Sequence, residues 1–145
     1  MSKKYIFKAD VPGEYGDNTI LDDRFYPSKI YHVDYLFDRH PDDIFKNGRR
    51  FFLLDSLYNK IIDLGLSGID NPRLITYKMN PQFYDINPNK EIPQENYYFV
   101  DIIGNENDDF HIEYEPDFIL IISERALELF KISRINFAKW EVYRG

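Results

Sequence analysis

No cysteine occurs in this sequence, which excludes disulfides, thiolate metal ligands and thiol nucleophiles together. The longest unbroken apolar run, Phe118–Ile122, is five residues, far short of a membrane-spanning helix. Two lysines near the start precede only Tyr5-Ile6-Phe7, too short an apolar stretch for a secretory signal. Neither a phosphate-binding P-loop nor a dinucleotide fingerprint is present. Gly65-Leu66-Ser67-Gly68 lacks the G-x-S-x-G spacing of a nucleophile elbow, and it follows a predicted helix where that motif follows a strand. Low-complexity tracts are missing as well. The expectation is a soluble protein of the reducing cytoplasm, with no cofactor and no membrane partner.

With 145 residues, the chain is expected to fold as one domain, 1–145, large enough to bury a core without staples. Hydrophobic residues at 43% against charged ones at 30% place it among ordinary globules and away from disordered tails. Twelve Tyr and twelve Phe are more than one core of this size needs, so some aromatics should reach the surface, where Tyr is an efficient contact residue.

Charge is unevenly placed. Acidic and basic residues balance at twelve each over residues 1–84, whereas residues 85–117 hold ten acidic and one basic. That segment carries −9, more than the whole chain's −7. Such a surface repels nucleic-acid phosphates and attracts basic proteins. The cluster Asp101, Glu106, Asp108, Asp109, Glu113, Glu115 and Asp117 is therefore the expected partner-binding surface, weighed against a merely solubilising rim.

The pattern of residues reads as one unit written twice. Phe52–Tyr77 reads apolar run, Ser56, short amphipathic segment, turn and strand, and Ile119–Tyr143 reads the same around Ser123. The tails match at Ser67/Ser133, Ile69/Ile135, Asp70/Asn136 and Tyr77/Tyr143. Both serines are expected helix N-caps, although neither is followed by the Glu or Gln of a full capping box. Leu57, Ile61 and Leu64 share one helical face, as do Ala126, Leu127 and Phe130. Gly65 is placed to end the first helix in a left-handed conformation.

Elsewhere, residues 5–11 suggest a short strand and 12–28 mostly loop, since Pro12-Gly13 and Gly16-Asp17-Asn18 interrupt it. Ile30–Phe37 alternates as a half-buried strand, and Asp42–Phe45 suits one helical turn. Residues 79–96, with Pro81, Pro88 and Pro93, make the expected linker between the copies. Tyr97–Ile103 and Phe110–Tyr114 read as strands joined into a hairpin over residues 97–114. The expected fold class is α+β: a mixed β-sheet with two short helices from a duplicated β–α–β unit, plus that hairpin. Helix crossovers between parallel strands should be right-handed.

Two histidine settings hold residue types suited to chemistry. On a strand, His111, Glu113 and Glu115 project to one face, and an imidazole with two carboxylates suits a transition metal. The same alternation describes any half-exposed strand, so no metal site is assigned. His32 and His40 lie near Asp34, Asp38, Asp42 and Asp43, the raw material of acid–base catalysis. No marked nucleophile accompanies them, so no catalytic residue is assigned. The adjacent pairs Asp22-Asp23, Asp42-Asp43 and Asp108-Asp109 rarely indicate one shared site. A small enzyme using His32, His40 or His111 stays open as an alternative, as does an adaptor or regulatory subunit.

Ile121-Ile122-Ser123-Glu124-Arg125-Ala126 and Ile132-Ser133-Arg134-Ile135-Asn136-Phe137 resemble a bacterial polymorphic-toxin immunity-protein family, first catalogued as a domain of unknown function. The pattern of that family runs from an apolar strand into Val/Ile-Ser-Glu-Arg, a short helix, a Leu/Ile-small-Gly-Ile/Val-x-Phe turn and a final strand. Arg134 stands where its glycine is usual, while Leu66-Ser67-Gly68-Ile69-Asp70 keeps that glycine. The resemblance covers residues 50–77 and 97–143 and leaves the first 45 outside. It implies a small cytoplasmic protein that binds and blocks a cognate toxin, without enzymatic activity or cofactor. By charge, that toxin is expected to be basic. The resemblance transfers no contact residues.

Overall fold

The computed structural model describes residues 3–22, 24, 29–82 and 94–144. Its strands are β1 (Lys4–Lys8), β2 (Gly13–Tyr15), β3 (Ile20–Asp22), β4 (Lys29–His32), β5 (Asp34–Phe37), β6 (Ile44–Asn47), β7 (Arg50–Leu54), β8 (Ile69–Leu74), β9 (Thr76–Met79), β10 (Tyr97–Ile102), β11 (Phe110–Glu113), β12 (Ile119–Ser123) and β13 (Lys139–Val142). The helices are α1 (Asp55–Asp63) and α2 (Glu124–Lys131). The class is α+β, mostly sheet with two short helices.

Two four-stranded sheets dominate, in the orders β11-β12-β1-β13 and β6-β7-β10-β8. Every ladder in them is antiparallel. In the second, β7 and β8 both oppose β10, so the strands flanking α1 run parallel with one strand between them. In the first, β12 and β13 both oppose β1, and the strands flanking α2 have the same relation. A third sheet, β2-β5-β9, contains the parallel pair β5–β9, and β3-β4 forms a two-stranded ribbon.

Both helices form where an apolar strand meets an amphipathic segment. In α2 the Ser123 hydroxyl accepts from the Ala126 N–H at 3.1 Å, a true N-cap. Its buried face, Ala126, Leu127, Leu129 and Phe130, meets the first sheet, with the Phe130 ring 4.9 Å from Phe7 and 5.9 Å from Phe110. Leu57 and Ile61 bury α1. That helix ends as its glycine predicts: Gly65 takes φ +66, its N–H reaches the Ile62 carbonyl, and the Leu66 N–H reaches that of Ile61. Leu64, expected on the buried face, is the C-cap and is exposed.

Between the second and third sheets lies an aromatic core. Tyr35, Phe37, Phe45, Phe52 and Tyr97 are fully buried, and Phe45 stacks on Phe52 at 4.9 Å. This explains why Phe51–Leu54 is apolar on both faces: one side meets those rings and the other carries α1.

Several expectations are corrected. Residues 97–114 do not form a hairpin: β10 pairs with β7 and β8, β11 pairs with β12, and they belong to different sheets. Gly104 in that connection and Gly68 before β8 both press on the Phe110 carbonyl, where a Cβ would sit 2.0 Å and 2.2 Å from its oxygen. The two helical units occupy separate sheets and not one mixed sheet. Ser56 is no cap, since α1 begins directly after Leu54 without a side-chain cap bond and Ser56 is exposed. The expected position-by-position register also fails beyond the helices: Ile69 opens β8 while Ile135 precedes β13, and Tyr77 lies in β9 of the third sheet while Tyr143 follows β13. Asp42–Phe45 contains no helical turn, because Ile44 and Phe45 pair with β7 as part of β6. Within the expected loop of 12–28 the chain forms the short strands β2 and β3, with residues 23 and 25–28 outside the described residues, and Ile30–Phe37 breaks at Val33 into β4 and β5. Of the linker expected over 79–96, residues 83–93 lie outside the described residues.

Candidate functional site

Beyond the Phe51–Val100 pair, the β7–β10 ladder ends. A cleft of about 810 Å³ opens there, bounded by the β6–β7 turn, β4, β8, β10 and the turn after β11. Its size is that of a small-molecule site. The β6–β7 turn owes its shape to Gly48 at φ +63, which delivers Arg49 and Arg50 to the cleft side by side. Lys29 joins from β4 and Arg73 from β8, so among the described residues four cations and one carboxylate, Asp101, line it.

Arg73 sits opposite Phe99 in register, with its guanidinium 3.8 Å from the ring centroid. It pairs with Asp101 at 2.7 Å, and Asn71 holds the other carboxylate oxygen at 3.0 Å. The Arg73 Nε is buried and has no hydrogen-bond partner among the described residues. Arg49 lies 5.3 Å over the Phe118 ring and makes no ion pair among the described residues. Phe118 in turn stacks on Phe51 and meets Tyr114 edge-on at 5.5 Å. Exposed Tyr31 and Tyr114 stand at the opening. Arg50 also engages the Tyr15 hydroxyl, whose pKa is raised by burial against the opposing pull of that guanidinium. The arrangement is an aromatic-walled, positively charged hollow in an acidic protein.

The seven expected contact carboxylates have different local partners. Asp101 is the paired acid of the cleft. Asp108 closes its own loop by accepting from the Asn105 N–H at 2.7 Å, a bond that lowers its pKa. Asp109 is a structural tie: one oxygen accepts from the Ser123 hydroxyl at 2.5 Å and the other from the Ser67 N–H at 2.9 Å. Glu113 is half-buried beside His111, 3.3 Å away, and accepts from the Tyr143 hydroxyl at 3.4 Å. Burial, then the Glu113 charge, raises the Tyr143 pKa. Glu106, Glu115 and Asp117 are exposed and make no ion pair among the described residues. They stand at the two ends of β11, Glu106 before it and the other pair after it.

The histidines occupy three separate settings. His111 is buried with Glu113, and among the described residues no group of three His, Asp or Glu could hold a metal, so Glu115 does not complete a site. His32 reaches the Thr76 hydroxyl at 3.1 Å, and Thr76 donates to Asp34 at 3.0 Å. Because that hydroxyl gives its proton to the carboxylate, His32 Nε2 is the donor to Thr76 and not its base. His40 donates from Nδ1 to the Pro41 carbonyl. Asp38 is exposed, while Asp42 and Asp43 are consumed elsewhere. Asp42 accepts from the N–H groups of Asn136, Phe137 and Ala138, and Asp43 from the N–H and Nε of Arg134.

Sequence reasoning missed the cleft. Its one local signal was Asn47-Gly48-Arg49-Arg50, a tight-turn pair followed by adjacent cations. The rest comes from segments up to ninety residues apart, such as Lys29 and Phe118. Among the described residues no helix is long and apolar enough to cross a membrane. No family model, no curated protein and no solved structure matches the chain.

Proposed function

We propose that this chain is an immunity protein that binds a cognate bacterial toxin in the cytoplasm and blocks it by occupancy, without turnover. The observation that carries the reading is the turn after β11. There Tyr114 is 57% exposed, beside Glu115 and Asp117, which have no ion pair among the described residues. An exposed aromatic rimmed by unpaired charge is the anatomy of a recognition surface: the ring supplies an anchor and the charges steer encounter. Glu106 extends the same sign to the other end of β11. The resemblance of residues 121–126 and 132–137 to immunity proteins points the same way. A basic toxin fits this surface.

The two four-stranded sheets, read in this light, are two copies of one unit: a hairpin, a helix, a return strand and a strand inserted between. Their common strand order supports this, with Leu54 and Ser123 as the equivalent helix-entry positions. Superposing the units tests it. Helices falling on opposite faces of their sheets would dismiss the duplication.

The functional test uses the protein encoded beside this chain. A stable one-to-one complex and protection of cells expressing the neighbour are expected. Glu106→Gln, Glu115→Gln and Asp117→Asn together should slow association about tenfold at low salt and less at high salt. A neighbour that neither binds nor is neutralised removes the proposal.

A further inference from the structure

The cleft at the end of the β7–β10 ladder shares Tyr114 with the toxin-binding surface just described, but its charge is of the opposite sign. We infer that it binds a compact ligand with an anionic group at one end and a flat uncharged ring at the other, of the class of nucleoside monophosphates.

Three features set this chemistry. First, Lys29, Arg49, Arg50 and Arg73 all line the cleft, and Asp101, paired with Arg73, is the one carboxylate among its described lining residues. Guanidinium groups are suited to the paired oxygens of phosphate, and Arg49 has no carboxylate partner among the described residues. Second, the walls are rings. Phe99 already carries a guanidinium on one face, and Tyr31, Tyr114 and Phe118 flank the opening. Planar groups stack on such surfaces and on guanidinium planes. Third, the surroundings limit the ligand's length. Glu115 and Asp117 bracket the turn at the mouth, within an acidic chain of net charge −7. An acidic peptide or a nucleic-acid strand leaving the cleft would carry further negative charge past them. A ligand whose charge is confined inside avoids that repulsion. The volume of about 810 Å³ accommodates one.

The phosphate is assigned to Arg49 at the β6–β7 turn, where the space around Gly48 is open, and the ring to the exposed Tyr31 and Tyr114. Titration calorimetry and ligand-observed NMR on the full chain test this, with AMP, GMP, CMP and UMP as probes. Adenosine, inorganic phosphate, a short oligonucleotide and a glutamate-rich peptide serve as comparisons. At least one monophosphate should bind, with adenosine and phosphate each about tenfold weaker or worse. Arg49→Gln, at an exposed position, should weaken binding about tenfold with an unchanged melting temperature, and Arg49→Glu should abolish it. Absence of binding by all four monophosphates at millimolar concentration overturns the inference. So does affinity unaltered in folded Arg49→Glu, or tighter binding of the peptide or oligonucleotide. None of these outcomes bears on whether the chain binds a toxin.

Discussion

Asp42 shows how a residue's chemistry can be hidden in sequence. Beside Asp43 it has the look of a solvated acidic pair opening a helix. In the fold it is 1% exposed and holds three consecutive backbone N–H groups of the connection between α2 and β13. The donors lie more than ninety residues away, so no local pattern announces them. Asp42→Asn replaces one acceptor oxygen with a donor facing those N–H groups, and should cost about 2–3 kcal/mol in urea denaturation. An effect below about 0.5 kcal/mol would show that the cradle does not hold the connection. Tyr97 is the opposite case. Its hydroxyl is buried with no partner among the described residues, so Tyr97→Phe should raise stability by about 1 kcal/mol. A loss of that size instead would mean the hydroxyl is satisfied.

At the scale of elements, the strands richest in apolar and β-branched residues were legible: β7, β10, β11 and β12 fall where alternation or an apolar run places them. The helices were legible too, by period and by Gly65. Pairing was not. Where β11 turns away from β10 to β12, Gly104 and Gly68 both crowd the Phe110 carbonyl, and the second of these contacts spans more than forty residues. Helix entry separates the two serines. Ser123 caps α2 and donates to Asp109, so Ser123→Ala should cost about 1–2 kcal/mol, whereas Ser56→Ala should stay within about 0.5 kcal/mol. Equal losses at both positions would restore the matched-cap reading that the fold rejects. The cleft belongs to this level as well: it exists because β7 and β10 stop pairing, and a ladder's end is set by its partners.

The whole molecule is organised around aromatic rings shared between two sheets, and this gives it an alkaline limit. Burial pushes the Tyr35 hydroxyl up to about 12, with the Asn47 side chain pulling weakly the other way. Burial, followed by the Glu95 charge, raises Tyr97 as well. Both folded-state values lie above the unfolded phenol's, so between them the native chain keeps protons that the unfolded chain releases. Stability is therefore full below about pH 10 and falls as pH rises toward 12, by about 2–3 kcal/mol from Tyr35 alone. Urea midpoints at about pH 9 and about pH 11 should differ accordingly. Tyr97→Phe should make the decline shallower, because one of the two retained protons is gone. A midpoint that holds steady across that interval would mean these hydroxyls ionise freely in the native state. Rings packed at 4.9–5.8 Å around them leave no room for the hydration that an ionised phenol requires.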